Sequence, residues 1–223
     1  MPASAEEAWA PGPLQPQLGD GAVHVWRADL AAVAADLTDL LCEQERARAE
    51  RILSESRGEL WTRSRGLLRA LLGRYLQQEP ASLRFATGAH GKPTLSNGAA
   101  AELAFNLSHS GQLALYAFSA GPAVGVDIEV GRRSVEEIAV AHRWLGAAQA
   151  RRLEALPPAI RRREFLRAWT RREAQLKCLG VGFGATPASA EEPWVLDLEP
   201  FTDVAGAVAA ARPALELHCW SWH

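Results

Sequence analysis

Two short segments of this chain carry residue types that could build a phosphate-handling metal site. Gly125-Val126-Asp127-Ile128-Glu129 sets two carboxylates at i and i+2. In a strand both point to one face, about 6–7 Å apart along the chain. Trp169-Thr170-Arg171-Arg172-Glu173-Ala174-Gln175-Leu176-Lys177 sets Glu173 and Lys177 at i and i+4, neighbours on one helical face. Three carboxylates, Asp127, Glu129 and Glu173, suit a hard divalent cation such as Mg²⁺, and a nearby lysine suits the phosphates such a cation holds. Each piece alone is ordinary. An acidic pair on a strand is commonly a solvated edge, and an exposed Glu–Lys pair is worth about 0.3–0.5 kcal/mol. Their combination is what proposes chemistry.

The remaining positive charge is unevenly chosen. Lys92 and Lys177 are the only lysines, and every other strongly basic side chain is arginine. A lysine is a compact point charge suited to phosphate, so Lys92 becomes a second candidate. Twenty-four basic against 26 acidic residues leave a net charge of −2, which offers no general field for nucleic acid or an anionic membrane. Cys42, Cys178 and Cys219 are an odd, widely spaced set, which argues against a disulfide framework or a zinc site and fits a reducing compartment. The segment Met1 to Glu7 lacks a basic start followed by an apolar run, so no signal peptide is expected. No apolar stretch approaches the ~20 residues of a membrane span. The expectation is a cytoplasmic protein, monomeric, with neither nucleic acid nor membrane as a partner.

These residues need elements to position them. Residues 1–19 read as an irregular lead-in, and Val23 to Trp26 as a first strand. A helical pattern follows from Leu30 to about Leu53, and another from Glu59 to Leu76, with Leu60, Leu67, Leu68, Leu71, Leu72 and Tyr75 on one face. The loop Gly88 to Pro93 leads to two strands, Ala104–Leu107 and Gln112–Phe118, flanking a turn at Ser108-His109-Ser110-Gly111. Val124 to Val130 alternates, with the valines and Ile128 buried and Asp127 and Glu129 opposite. Ser134 and Glu137 have capping-box spacing for a helix to Leu145, stopped by Gly146. Arg161 to Leu179 is the last helix, with Phe165 and Trp169 turned inward as core, and strands follow near Trp194–Leu198 and Leu215–Trp222. The order strand, helices, strands occurs twice, which suggests two α+β halves of about 110 residues, 1–121 and 122–223.

Gly91-Lys92-Pro93, Phe105-Asn106-Leu107-Ser108-His109-Ser110, Gly125-to-Glu129 and Trp169-to-Lys177, in this order and spacing, resemble the Sfp-type 4′-phosphopantetheinyl transferases from about Val23 to Val195. The resemblance implies a pseudo-twofold pair of α+β halves with the active site in the cleft between them. It implies transfer of the 4′-phosphopantetheine arm of coenzyme A onto a serine of an apo acyl or peptidyl carrier protein, releasing 3′,5′-ADP. By the same resemblance, Asp127, Glu129 and Glu173 are the Mg²⁺ ligands, with Mn²⁺ as a substitute, and Lys177 holds the diphosphate. Ser108 and His109 contact coenzyme A phosphates, Gly91-Lys92-Pro93 lies on the adenine side, and Arg65 meets the 3′-phosphate. Glu173 is the base for the serine proton, directly or through a metal-bound water. Arg172 departs from the family pattern, which has lysine there; charge is kept but a planar fork replaces a point donor. A catalytically inactive module that binds coenzyme A or a carrier is the alternative.

Overall fold

A computed structural model describes residues 9–34, 36–87, 92–96, 103–131, 136–182 and 192–223. Its strands are β1 (Ala10–Pro11), β2 (Ala22–Asp29), β3 (Phe85–Thr87), β4 (Pro93–Leu95), β5 (Leu103–Ser110), β6 (Leu113–Ala120), β7 (Val124–Val130), β8 (Trp194–Phe201), β9 (Val204–Ala210) and β10 (Glu216–Ser221). Its helices are α1 (Glu43–Glu50), α2 (Glu55–Leu76), α3 (Glu137–Trp144), α4 (Ala147–Glu154) and α5 (Pro158–Leu179). The chain is α+β and built in two parts: a five-stranded sheet in the order β1-β10-β2-β6-β5 and a three-stranded sheet β7-β9-β8, with β3-β4 a separate two-stranded sheet.

Alternation along the strands decides the layering. In β2 and β6, Trp26, Tyr116 and Phe118 meet Leu67, Leu68, Leu71 and Leu72 of α2. The intervening Val23, Val25, Leu115 and Ala117 meet Val124, Val126 and Ile128 of β7 and Val208 of β9. The two sheets therefore pack face to face, a two-sided burial that leaves apolar side chains on both sides of each central strand. Ala174 and Cys178 of α5 cover the far face of the second sheet, against Ala207 and Ala209. The layers run helix, sheet, sheet, helix, and the two outer helices are each 22 residues long.

Several expectations change. The helical pattern from Leu30 to Leu53 forms only a 3₁₀ turn at Thr38–Leu40 and the short α1. Asp29 and Asp36 accept the amides of Ala31 and Thr38 and hold turns that compete with helix. The helix expected from Arg161 starts at Pro158, where the fixed φ of proline suits the first turn. The helix expected from Ser134 to Leu145 spans Glu137–Trp144, and Ser134 lies outside the described residues. Strand β9 and helix α4 have no counterpart in the sequence reading: β9 is Val-Ala-Gly-Ala-Val-Ala-Ala, and alanine and glycine carry little strand propensity. The sequence also groups β10 with the second half, yet it pairs parallel with β2 of the first sheet. Trp220 packs there at a tilt against Trp26, ring centres 5.0 Å apart, completing the first core.

Candidate active site

The site forms where the open edge of β7 meets β5. Strand β7 pairs with β9 on one side only, so the backbone groups of its other edge need partners. Side chains of the first half supply them. Asn106 Oδ1 accepts the Val126 amide at 2.9 Å, and Ser110 Oγ accepts the Val130 amide at 3.1 Å. The Lys92 ammonium donates to the Val124 carbonyl at 3.1 Å and to the Lys177 carbonyl at 2.7 Å. The turn expected at Ser108 is strand instead, with the chain reversing at Gly111 and Gln112. That extension puts Asn106, Ser108 and Ser110 on one face at period two, all directed at β7.

The same face orients the acids. Ser108 Oγ donates to Asp127 Oδ1 at 2.8 Å, and Ser110 Oγ donates to Glu129 Oε2 at 3.1 Å. Helix α5 approaches from the other side. A Cβ on Gly125 would lie 2.1 Å from the Ala174 carbonyl oxygen and 2.4 Å from the Cys178 nitrogen, so only glycine allows this backbone contact. Trp169, Glu173 and Lys177 follow at i, i+4 and i+8 along the facing side of that helix. The Lys177 ammonium donates to Asp127 Oδ1 at 2.6 Å and to Ser108 Oγ at 2.9 Å. Trp169, read from sequence as core, is half-buried and hydrogen-bonds Glu129.

The electrostatics of these acids are frustrated. Asp127 is 3% exposed, and its Oδ2 finds no hydrogen-bond partner among the described residues. Desolvation raises its pKa, and Lys177 and Ser108 only partly offset that. Glu129 and Glu173 are also raised, first by desolvation and then by the Asp127 charge; Glu173 feels Glu129 as well. Among the described residues no three His, Cys, Asp or Glu side chains are drawn together closely enough to hold an ion as they stand. The trio fits a hard cation in charge and donor type: an orphaned buried carboxylate oxygen, mutual repulsion and an oxygen-only set.

Beside Ser108 and Lys177 opens a cleft of ≈ 710 Å³ to which both lysines and five arginines contribute. Glu45 of α1 organises this wall. It accepts a hydrogen bond from Arg65 Nε and another from Arg69 Nε at 2.7 Å, and Arg69 is 1% exposed. Desolvation pushes the Glu45 pKa up, but the two arginines outweigh it and hold the carboxyl below its ordinary value. The Arg65 guanidinium lies 4.0 Å over the Phe85 ring. His109 borders the cleft with its ring still solvent-accessible; partial desolvation, then the Lys177 charge, draw its pKa down. Of the sequence candidates, the structure gathers Arg65, Lys92, Pro93, Ser108, His109 and Lys177 on this cleft, with Asp127, Glu129 and Glu173 behind Lys177. Gly91 lies outside the described residues. Glu45, Asn106 and Ser110 were not singled out from sequence; the i+2 recurrence of Asn, Ser and Ser was the available signal.

A family model for the 4′-phosphopantetheinyl transferase superfamily matches residues 123–217, and one for the N-terminal part of 4′-phosphopantetheinyl transferases matches residues 25–120. The chain is 36% identical over 181 residues to 4′-phosphopantetheinyl transferase HetI of Nostoc, across 79% of this chain and 76% of that protein. This chain belongs to the 4′-phosphopantetheinyl transferase superfamily. It is therefore of a transferase class, and its α+β architecture in two parts agrees with the two matched regions. It is also 33% identical to a putative 4′-phosphopantetheinyl transferase of Synechocystis, over 64% of this chain and 58% of that one. It is 29% identical to 4′-phosphopantetheinyl transferase Sfp of Bacillus subtilis, over 52% and 50% respectively. Among the described residues no helix is long and apolar enough to cross a membrane.

Proposed function

We propose that this transferase moves the 4′-phosphopantetheine arm of coenzyme A onto a serine of an apo acyl or peptidyl carrier protein and releases 3′,5′-ADP. The observation that carries the reading is Lys177, which lines the arginine-walled cleft and pairs with Asp127 behind it, where the charges of Glu129 and Glu173 also converge. The nucleotide end of coenzyme A lies along the arginine wall, with Arg65 and His109 at its phosphates and Pro93 on the adenine side. Lys177 holds the diphosphate over the acids, and Ser108 keeps the lysine and Asp127 in register.

The carrier serine hydroxyl attacks the β-phosphorus, a new phosphorus–oxygen bond forms, and the bond to 3′,5′-ADP breaks. Negative charge gathers on the leaving and non-bridging oxygens, where Lys177 stabilises the transition state more than the ground state. Glu173, its pKa raised first by desolvation, takes the serine proton. Asp127, Glu129 and Glu173 would hold Mg²⁺, or Mn²⁺ in its place, and when bound that ion supplies Lewis-acid charge to the diphosphate.

The halves of this enzyme are residues 1–121 and 122–223, a division supported by family matches that abut between residues 120 and 123. The carrier, a helical protein with an acidic face, docks on the exposed Arg151, Arg152 and Arg163. Arg161 and Arg162 are committed elsewhere, to the carbonyls of Leu156 and Gly131. The protein acts as a cytoplasmic monomer. Incubation with coenzyme A, Mg²⁺ and a panel of apo carriers, followed by intact mass, tests the reading. A gain of one phosphopantetheine with stoichiometric 3′,5′-ADP supports it; an unmodified panel overturns it.

A further inference from the structure

Lys92 is the chain's second lysine, and its place in the fold differs from that of a phosphate contact. It enters from the first half, immediately before β4, and its ammonium reaches across to two backbone carbonyls of the second half. One is Val124, where β7 begins, three residues before Asp127. The other is Lys177 itself, in the last turn of α5. The final carbonyls of a helix have no partner within the helix, and they carry the negative end of its dipole. A partly buried ammonium there adds a charge-assisted bond to a carbonyl that otherwise accepts the Gly180 amide at 3.3 Å. Two of its three donors are thereby spent on backbone, and burial draws its pKa below the ordinary lysine value.

The residue it holds is the one whose side chain makes the diphosphate contact. The Lys177 ammonium is fixed at its far end by Asp127 Oδ1 and Ser108 Oγ. Its near end, the backbone, is fixed by Lys92. We propose that Lys92 is a positioning residue: its ammonium clasps the end of α5 to the start of β7 and thereby sets where Lys177 presents its charge to the diphosphate. This rests on the function proposed above, and it separates the two lysines into one that touches substrate and one that aims the first. A displacement of about 1 Å at a reacting group can cost on the order of a hundredfold in rate. Loss of Lys92 therefore acts on turnover more than on coenzyme A affinity.

The composition makes the test direct. Lysine-selective ¹³C,¹⁵N labelling yields side-chain signals from only two residues, Lys92 and Lys177. In the wild-type protein, coenzyme A titrated without carrier should shift the Lys177 signal and leave the Lys92 ammonium protected and nearly unmoved. In Lys92→Met, the remaining Lys177 signal should already be displaced before any ligand is added. Turnover of that variant should fall about ten- to a hundredfold, with the KM for coenzyme A within about twofold. Adding Lys92→Met to Lys177→Ala should cost less than about twofold more, because the first acts through the second. A Lys92 signal that moves with coenzyme A as strongly as Lys177, or a KM loss that persists in the Lys177→Ala background, would overturn the assignment. The wild-type titration decides the matter if Lys92→Met does not fold. The mass assay on wild type reports the proposed function separately.

Discussion

The arginine wall of the cleft and the acids behind Lys177 carry opposite charge and treat it in opposite ways. On the first-half wall, Glu45 stands between Arg65 and Arg69, and its carboxyl is held below its ordinary value. Behind Lys177, desolvation raises three acids, Glu129 and Glu173 are raised further by the Asp127 charge, and Asp127 is 3% exposed with an orphaned oxygen. One wall is compensated by the chain's own residues. The other stores unfavourable electrostatics that only an added positive charge relieves, a pattern common at functional sites. The first is therefore electrostatically satisfied structure, and the second is strain that the fold tolerates.

That contrast can be broken by mutation. Asp127→Asn should lower transfer by about a thousandfold, the scale on which removing a transition-state electrostatic contact acts. Its thermal midpoint should be unchanged or higher, because a buried charge whose pKa is raised costs stability. Full turnover in a purified Asp127→Asn protein would place the acids outside the reaction. Glu45→Ala should do the reverse. It strips the counter-charge from Arg69, 1% exposed, and should cost about 3 kcal/mol or more of stability, read by denaturant midpoint. A Glu45→Ala protein as stable as wild type would mean the first wall is no better compensated than the second.

The contrast sharpens away from the cleft. His24, buried in the first half, has its pKa drawn down to about 4, first by desolvation and then by the neighbouring His218. Its Nδ1 lies 2.9 Å from the Tyr75 hydroxyl, and Trp220 packs on its ring at 4.6 Å. A base whose folded pKa is depressed resists its proton only in the folded state. The stability it contributes is whole above about pH 6.5 and is lost as pH falls toward 4, at up to about 1.4 kcal/mol per pH unit. Thermal melts of wild type and His24→Gln across that window should diverge, the variant showing the shallower decline. Parallel curves would remove His24 as the cause. The smallest effect is expected at the junction of the walls. Ser110→Ala removes the acceptor for the Val130 amide and the donor to Glu129, and should cost about 1 kcal/mol with a several-fold loss of transfer. A Ser110→Ala protein that matches wild type in both measurements would detach Glu129 from the β5 face.

The candidate site was legible in the sequence because it depends on residue type at short spacing. Asp127 and Glu129 stand at i and i+2 and Glu173 and Lys177 at i and i+4, and both lysines line one cleft with the acids behind Lys177. The long helices and most strands were legible for the same reason, since periods of 3.6 and 2 are local properties. What the tertiary structure decided is which of these local pieces meet. No spacing shows that Lys92 spends its charge on backbone carbonyls 32 and 85 residues away. None shows that Asn106, Ser108 and Ser110 close the edge of a strand in the other sheet. Strand β9 escaped notice because alanine carries no pattern, and β10 was assigned to the wrong sheet because pairing across 194 residues leaves no local trace. Glycine at 125 is legible as a residue. That it exists to let α5 settle onto β7, and so to bring Lys177 to Asp127, is a fact of packing alone.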